Sequence, residues 1–352
     1  VPQMIKAGEP VMQAVARPRI ALFGAVGGLS LAEHLRAAGA DVLDHEPAPQ
    51  GASDALARRH GYRRLSARTG DVGCLSALVE VLRLARGGSL PADWIRTGAD
   101  GRLRDGFRIG VDPDGFEDAD EILFLRHAHH AALLSVLRDA DVLILILSGE
   151  GCLVDPKHGT HYAYAAGSGA EPRAKAGLAH VFPDLMRLND DFLALRGLVA
   201  DINPGLMLRL ALLPMPVDPG AAAKDLSGHL PVLRQLSDLR VLMAHWSAAF
   251  ADVSYVPIWE LCTGPLEQTG LFKSGSGELA PEGGARVASL CLGSPPREDV
   301  VIAAPMPAAP DGPKDIAQKK ARRAERRAKR AAKGAASASV ICEEELLEAF
   351  SK

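Results

Sequence analysis

The turn Phe23-Gly24-Ala25-Val26-Gly27-Gly28 follows the apolar run Ile20 to Phe23 and precedes a helical pattern with Leu31, Leu35 and Ala38 on one face. In an α/β protein this first strand-to-helix turn is where a nucleophile or a phosphate cradle sits. The position placed for a nucleophile is Ala25, whose methyl group has no electron pair with which to attack. Three other side chains could replace it: Ser30 in the first turn of the helix, Ser148 in Leu147-Ser148-Gly149-Glu150-Gly151, and Cys152 just beyond. Each also has a plainer role, namely capping for Ser30, backbone satisfaction at a strand end for Ser148, and burial for Cys152, whose thiol needs a nearby base to be reactive. Gly24, Gly27 and Gly28, with Asp44 about twenty residues on, resemble a dinucleotide-binding turn. Val26 and Leu29 stand where the second and third glycines belong, so a nucleotide or other phosphate-bearing ligand at the helix start is a lesser alternative. His127, His129 and His130 share one helical pattern, and His158 and His161 form a second pair. Neither set has the His-Glu-x-x-His arrangement, so no metal or cofactor is implied.

These residues must be positioned by strands at Ile20–Phe23, Asp41–Leu43, Val142–Leu147, Met207–Leu212 and Val253–Ile258. Helical patterns fall between them at about 29–38, 73–86, 117–139, 184–200 and 230–250. Strands that are continuously apolar, alternating with amphipathic helices, predict a parallel sheet covered on both faces. The expectation is a three-layer, doubly wound α/β domain over 20–292, preceded by an N-terminal segment 1–19. The stretch 44–116, rich in Gly, Arg and Asp, reads as an elaboration over the strand ends. The pattern dissolves from Gly293 into a Pro-rich linker, 293–317.

The net charge of −3 conceals a division. Lys314 to Lys333 carries ten Lys and Arg against Asp315 and Glu325, a segment of +8, whereas residues 1–313 carry −8. The tail 318–333 is rich in strong helix formers but has no stripe of large apolar residues, so it is not an ordinary core-facing helix. Lys319, Lys320, Arg322, Arg323, Arg326, Arg327, Lys329 and Arg330 make a surface for a polyanion, RNA or an anionic membrane. Residues 340–351 read as a short amphipathic helix whose Leu346, Leu347 and Phe350 could fill a groove on a protein partner. The five cysteines are scattered, with no Cys-x-x-Cys, which argues for reduced, buried thiols rather than a disulfide framework or a zinc site. With no signal-peptide pattern and no apolar run long enough to span a bilayer, the expected location is cytoplasmic.

The order of motifs along residues 20–292 resembles the GSCFA domain, a branch of the SGNH-type hydrolases named for a Gly-Ser-Cys-Phe-Ala turn after the first strand. Gly24-Ala25-Val26-Gly27-Gly28 occupies that turn, and Ser66-Ala67-Arg68-Thr69-Gly70 matches a Ser-Ala-Arg-x-Gly segment. Asp114-Gly115-Phe116 with Arg126 and His129 matches the next, followed by Asp141 to Leu147, Val154-Asp155, and Gly159 with Tyr162 and Gly167. Asn203-Pro204, Leu213-Pro214-Met215-Pro216, Tyr255-Val256-Pro257 with Glu260, and Pro281-Glu282-Gly283 complete the series. The resemblance implies an SGNH or flavodoxin-like fold, ancestral ester or acyl chemistry on a carbohydrate or other acyl substrate, and a cleft including Gly24, Gly27, Gly28, Arg68, His129, Ser148, Gly149 and Glu150. Departures fall where the chemistry would be. The signature Ser and Cys are Ala25 and Val26, the Asp and His before Pro-Glu-Gly are Gly275 and Glu278, and the Thr-Glu pair after the third strand is Glu150 and Gly151. Loss of a triad serine alone costs about 10⁶ in rate in a well-studied protease. The expectation is therefore a binding or scaffold protein that has lost hydrolase activity, with an esterase using a relocated nucleophile as the rival.

Overall fold

The computed structural model describes residues 17–25, 29–88, 95–98, 100–164, 177–213, 226–263, 271–273 and 278–293. Five strands form its central sheet: β1 (Arg19–Gly24), β2 (Asp41–Val42), β5 (Val142–Leu147), β9 (Met207–Leu212) and β10 (Val253–Tyr255). Their spatial order is β2-β1-β5-β9-β10, and every pairing is parallel. β1 and β5 are in register from Ile20 opposite Val142 to Gly24 opposite Ile146, and β5 continues against β9 from Val142–Met207 to Leu147–Leu212. The sequence of β5, Val-Leu-Ile-Leu-Ile-Leu, is buried at all six positions, as a central strand covered on both faces requires.

The period-two alternation of the strands feeds two separate cores. Phe23, Leu143, Leu145, Leu147, Leu208 and Leu210 face one, together with α3 (Leu75–Ala85), α4 (Ala119–Asp139), α5 (Leu185–Ile202) and α6 (Leu226–Ala249). Ile20, Leu22, Ile144, Ile146 and Ala211 face the other, against α1 (Leu31–Ala37), α7 (Ile258–Thr263) and α8 (Pro281–Leu292). α1 thus lies on one face of the sheet and α3, α4, α5 and α6 on the opposite face. In a sheet so wound, ligands bind at the carboxyl end of the strands where the winding reverses, here between β1 and β5.

The expected elements are present with local differences. The strand foreseen to Ile258 ends at Tyr255, because Pro257 supplies no N–H to extend a ladder and Ile258 opens α7. Ser30 precedes α1 in a left-handed conformation (φ 47°), and its side chain makes no capping hydrogen bond. The stretch 44–116 contains α2 (Asp54–Arg59), α3 and the antiparallel hairpin β3 (Ile95–Thr97)–β4 (Leu103–Asp105). Beyond β5 lies a second antiparallel sheet, order β7-β6-β8, from β6 (Cys152–Asp155), β7 (Thr160–Ala163) and β8 (Ala179–Val181). These short strands alternate too briefly to stand out in the sequence. The 1–16 segment, most of the linker, the basic tail 318–333 and the segment 340–351 lie outside the described residues. Among the described residues, no helix is long and apolar enough to cross a membrane.

Candidate functional site

Small residues close the crossing point between β1 and β5. Gly24 ends β1 with φ +106°, and a Cβ there would lie 2.0 Å from the Ile146 carbonyl oxygen, so only glycine fits. Ala25 follows, 4% exposed, and its N–H donates to that same Ile146 carbonyl at 2.9 Å. From the other side comes Gly73, whose carbonyl accepts from the Ser148 N–H at 2.9 Å. A Cβ on Gly73 would meet Ser148 Oγ at 2.4 Å and Ala25 Cβ at 2.8 Å. Ala25, Gly73 and Ser148 therefore share one contact, and Ser148 is 3% exposed. Gly149 is buried under α6, where a Cβ would fall 2.6 Å from Leu236 Cγ. Glu150 is half-buried and its carbonyl accepts from His180 Nε2 at 2.6 Å. Of the glycines expected at this turn, Gly27 and Gly28 lie outside the described residues, as does Gly275.

A nucleophile needs a lone pair, a base within hydrogen-bond reach and access to substrate. Ala25 lacks the first and Ser148 the last. Cys152 is fully buried, and its thiol is raised by donation to the Cys74 sulfur and by desolvation, which disfavours the thiolate. Glu278 is exposed and pairs with Lys273 Nζ at 2.7 Å, an arrangement that holds its carboxyl below the usual range.

Arg68 and His129 meet in a buried polar network on the same side of the molecule as the 66–73 segment. Glu46, on the loop after β2, is its hub. Its Oε2 accepts from the Arg68 backbone N–H at 2.7 Å and from His129 Nδ1 at 2.5 Å, and its Oε1 accepts from Arg108 Nη2 at 3.1 Å. Burial pushes the Glu46 carboxyl up, but the His129 hydrogen bond and the neighbouring positive charges outweigh it and bring the group down to about 2. Burial pushes His129 the other way, below its ordinary value, while the Glu46 hydrogen bond and charge act in the opposite sense. His129 Nε2 is buried and has no hydrogen-bond partner among the described residues. Arg68 is 7% exposed and fully engaged: it donates to the His60 carbonyl, to Tyr62 Oη at 3.0 Å and to Asp112 Oδ1 at 2.5 Å, and it lies 3.8 Å over the Tyr62 ring. Arg126 makes a bidentate pair with Asp105 at 2.8 and 3.1 Å. Sequence reasoning named Arg68, Arg126 and His129 but missed Glu46, Arg108, Asp105 and Asp112. No spacing rule could pair Glu46 with a histidine 83 positions away.

Other residues of the motif series also serve as fastenings. Ser66 Oγ accepts from the Leu22 N–H at 2.9 Å and so pins the 66–73 segment to β1. Asn203 Nδ2 donates to the carbonyls of Leu137 and Ala140, joining the end of α5 to the end of α4. Tyr255 donates to Glu260 at 2.6 Å, and Glu260 in turn pairs with Arg240, linking β10, α7 and α6. Between α3, α4, α5 and the sheet lies a cavity of about 20 Å³ lined by Phe23, Leu78, Leu82, Leu133, Leu145 and Leu195, among others. That is room for one water in an apolar shell, and such cavities stay dry.

The fold and this edge define a doubly wound α/β protein whose crossing point is filled by side chains. Comparison of the chain with protein-family models, with curated proteins and with solved structures finds no match.

Proposed function

We propose that this chain is a non-hydrolytic α/β domain of the GSCFA kind, a binding or scaffold protein descended from an ester- or acyl-processing enzyme. The observation that carries the reading is the methyl group of Ala25, packed against Gly73 and Ser148 where a nucleophile would stand. The burial of Ser148 and of the Cys152 thiol weighs against a relocated nucleophile at this edge. Ligand binding falls to the surfaces around the edge, with a small acyl or carbohydrate group as the class that the resemblance suggests. The basic segment 314–333 adds recruitment to a polyanion, and Leu346, Leu347 and Phe350 a protein contact, in a cytoplasmic setting.

The test is turnover of short-chain acyl esters by the purified full-length protein. The expected result is a rate at the uncatalysed background. Turnover abolished by Ser148→Ala or Cys152→Ala would replace this reading with the relocated-nucleophile enzyme. Turnover surviving both substitutions and Ser30→Ala would sink the two readings together.

A further inference from the structure

The hairpin β3–β4 gathers Arg96, Arg102 and Arg104 with Asp100 and Asp105 in a short stretch of chain. Its register sets Arg96 directly opposite Arg104, so the two side chains leave the ladder on the same face. Like charges so placed repel each other. Arg104 is answered by Asp100, whose two oxygens accept from its Nη groups at 2.8 and 2.7 Å. Arg102 reaches Glu117 at 2.9 Å. Asp105, the remaining carboxylate of the hairpin, is occupied by the bidentate pair with Arg126, and its Oδ1 also accepts from the Phe107 N–H at 2.9 Å. Each of these carboxylates is therefore spent on another arginine. Arg96 is the one left over: its Nε is buried and has no hydrogen-bond partner among the described residues. Burial pushes the guanidinium below the usual arginine value, with the Asp105 charge acting against it and the Arg104 charge adding to it. An arginine cannot escape this cost by giving up its proton, and a cation taken from water without a partner is destabilising.

We propose that Arg96 anchors a binding site for a small organic carboxylate, on the face of the hairpin that it shares with Arg104. The charges select the ligand. Arg104–Asp100, Arg102–Glu117 and Arg126–Asp105 are each neutral as pairs, so the surplus is one positive charge and calls for one negative charge. A carboxylate supplies that charge, whereas a phosphate dianion would leave a negative charge in excess beside Asp100 and Asp105. The geometry agrees with the charge. The edge of a guanidinium formed by Nε and one Nη presents two parallel N–H donors, which match the two oxygens of a carboxylate. Arg96 is only partly buried, so a small anion reaches it from solvent. Once bound, the carboxylate satisfies the orphaned Nε and offsets the repulsion between Arg96 and Arg104. The site uses no residue of the crossing point between β1 and β5, and it stands whether or not that crossing point is catalytic.

The experiment titrates the full-length protein with sodium benzoate, sodium phosphate and sodium chloride at matched ionic strength, read by calorimetry and by thermal melting. Benzoate should bind saturably at one site and raise the melting temperature by roughly 3 °C at ten times its dissociation constant, with phosphate and chloride giving smaller shifts. Arg96→Met should abolish the benzoate shift and, with no charge left to bury, should melt no lower than the unliganded natural protein. Arg96→Lys keeps the charge but loses the fork, and should weaken benzoate at least tenfold. A benzoate shift that survives Arg96→Met, or equal shifts from all three anions, would overturn the proposal. Phosphate binding more tightly than benzoate would refute the carboxylate assignment, and an Arg96→Met variant that melts clearly lower would show that the protein itself satisfies the guanidinium.

Discussion

Glu46→Gln removes the one charge on which a backbone N–H, an imidazole and a guanidinium converge. In the folded protein the Glu46 carboxyl sits at about 2, against 4.5 for the free side chain. Because the folded value is the lower one, the unfolded chain binds the extra proton as the pH falls, and stability is lost with it. The difference of about 2.5 is worth roughly 3 kcal/mol at neutral pH. That contribution is fully present above pH 4.5, falls to about 2 kcal/mol near pH 3.5, and is gone below the folded value. The side chain is only 16% exposed, so solvent screening removes little of it. A glutamine keeps one acceptor but leaves Arg108 and the Arg68 N–H competing for it, and the loss of a buried charge partner costs about 3–5 kcal/mol. Urea unfolding followed by far-UV circular dichroism from pH 7 to 3.5 measures both quantities. The expected variant is less stable by roughly 3 kcal/mol at pH 7, with a gap that narrows below pH 4.5. A variant within about 1 kcal/mol of the natural protein at pH 7, or a gap that does not change with pH, would refute the role given to the carboxylate.

Gly24→Ala forces a left-handed alanine into the Ile146 carbonyl and should leave no cooperative thermal transition above room temperature. Gly51→Ala, at φ +82° with nothing within 4 Å, should cost only about 1 kcal/mol, and equal melting temperatures for the two would show that the close approach is unimportant. Reversing the charge of Arg322, Arg323, Arg326 and Arg327 should abolish binding to RNA and to anionic vesicles at low salt. A truncation at residue 313 should do the same, with the unaltered chain losing affinity steeply as salt rises; equal binding by all three would remove the recruitment role. Ala25→Ser alone should give no esterase turnover, since a serine there still lacks an identified base, and full turnover by that single variant would show that the groups at positions 275 and 278 are dispensable.

The sheet was legible because its strands announce themselves. Val142 to Leu147 is an apolar run too short for a helix and is buried at all six positions, and Met207 to Leu212 follows the same pattern apart from Arg209, with Met207 exposed at its start. The short strands at 152–155, 160–163 and 179–181 were not foreseen, because their partners and not their composition make them strands. At the crossing point the sequence pointed to Ala25 through its place between an apolar strand and an amphipathic helix. It gave no warning that Gly73 would fill the space beside it, since that contact joins chain segments nearly fifty positions apart. Arg68 and His129 were picked out by motif, yet their partner Glu46 stands in an unremarkable loop, and only the fold brings its carboxylate to them.

Covalent trapping tests most directly whether the carboxyl edge of the sheet holds a working nucleophile. The full-length protein, incubated at neutral pH with a large excess of a fluorophosphonate that phosphonylates activated serines, is read by intact mass and then by peptide mapping. A closed crossing point with a methyl group at Ala25 predicts an unchanged mass. A stoichiometric adduct on Ser148, Ser30 or any other residue of that edge would contradict it.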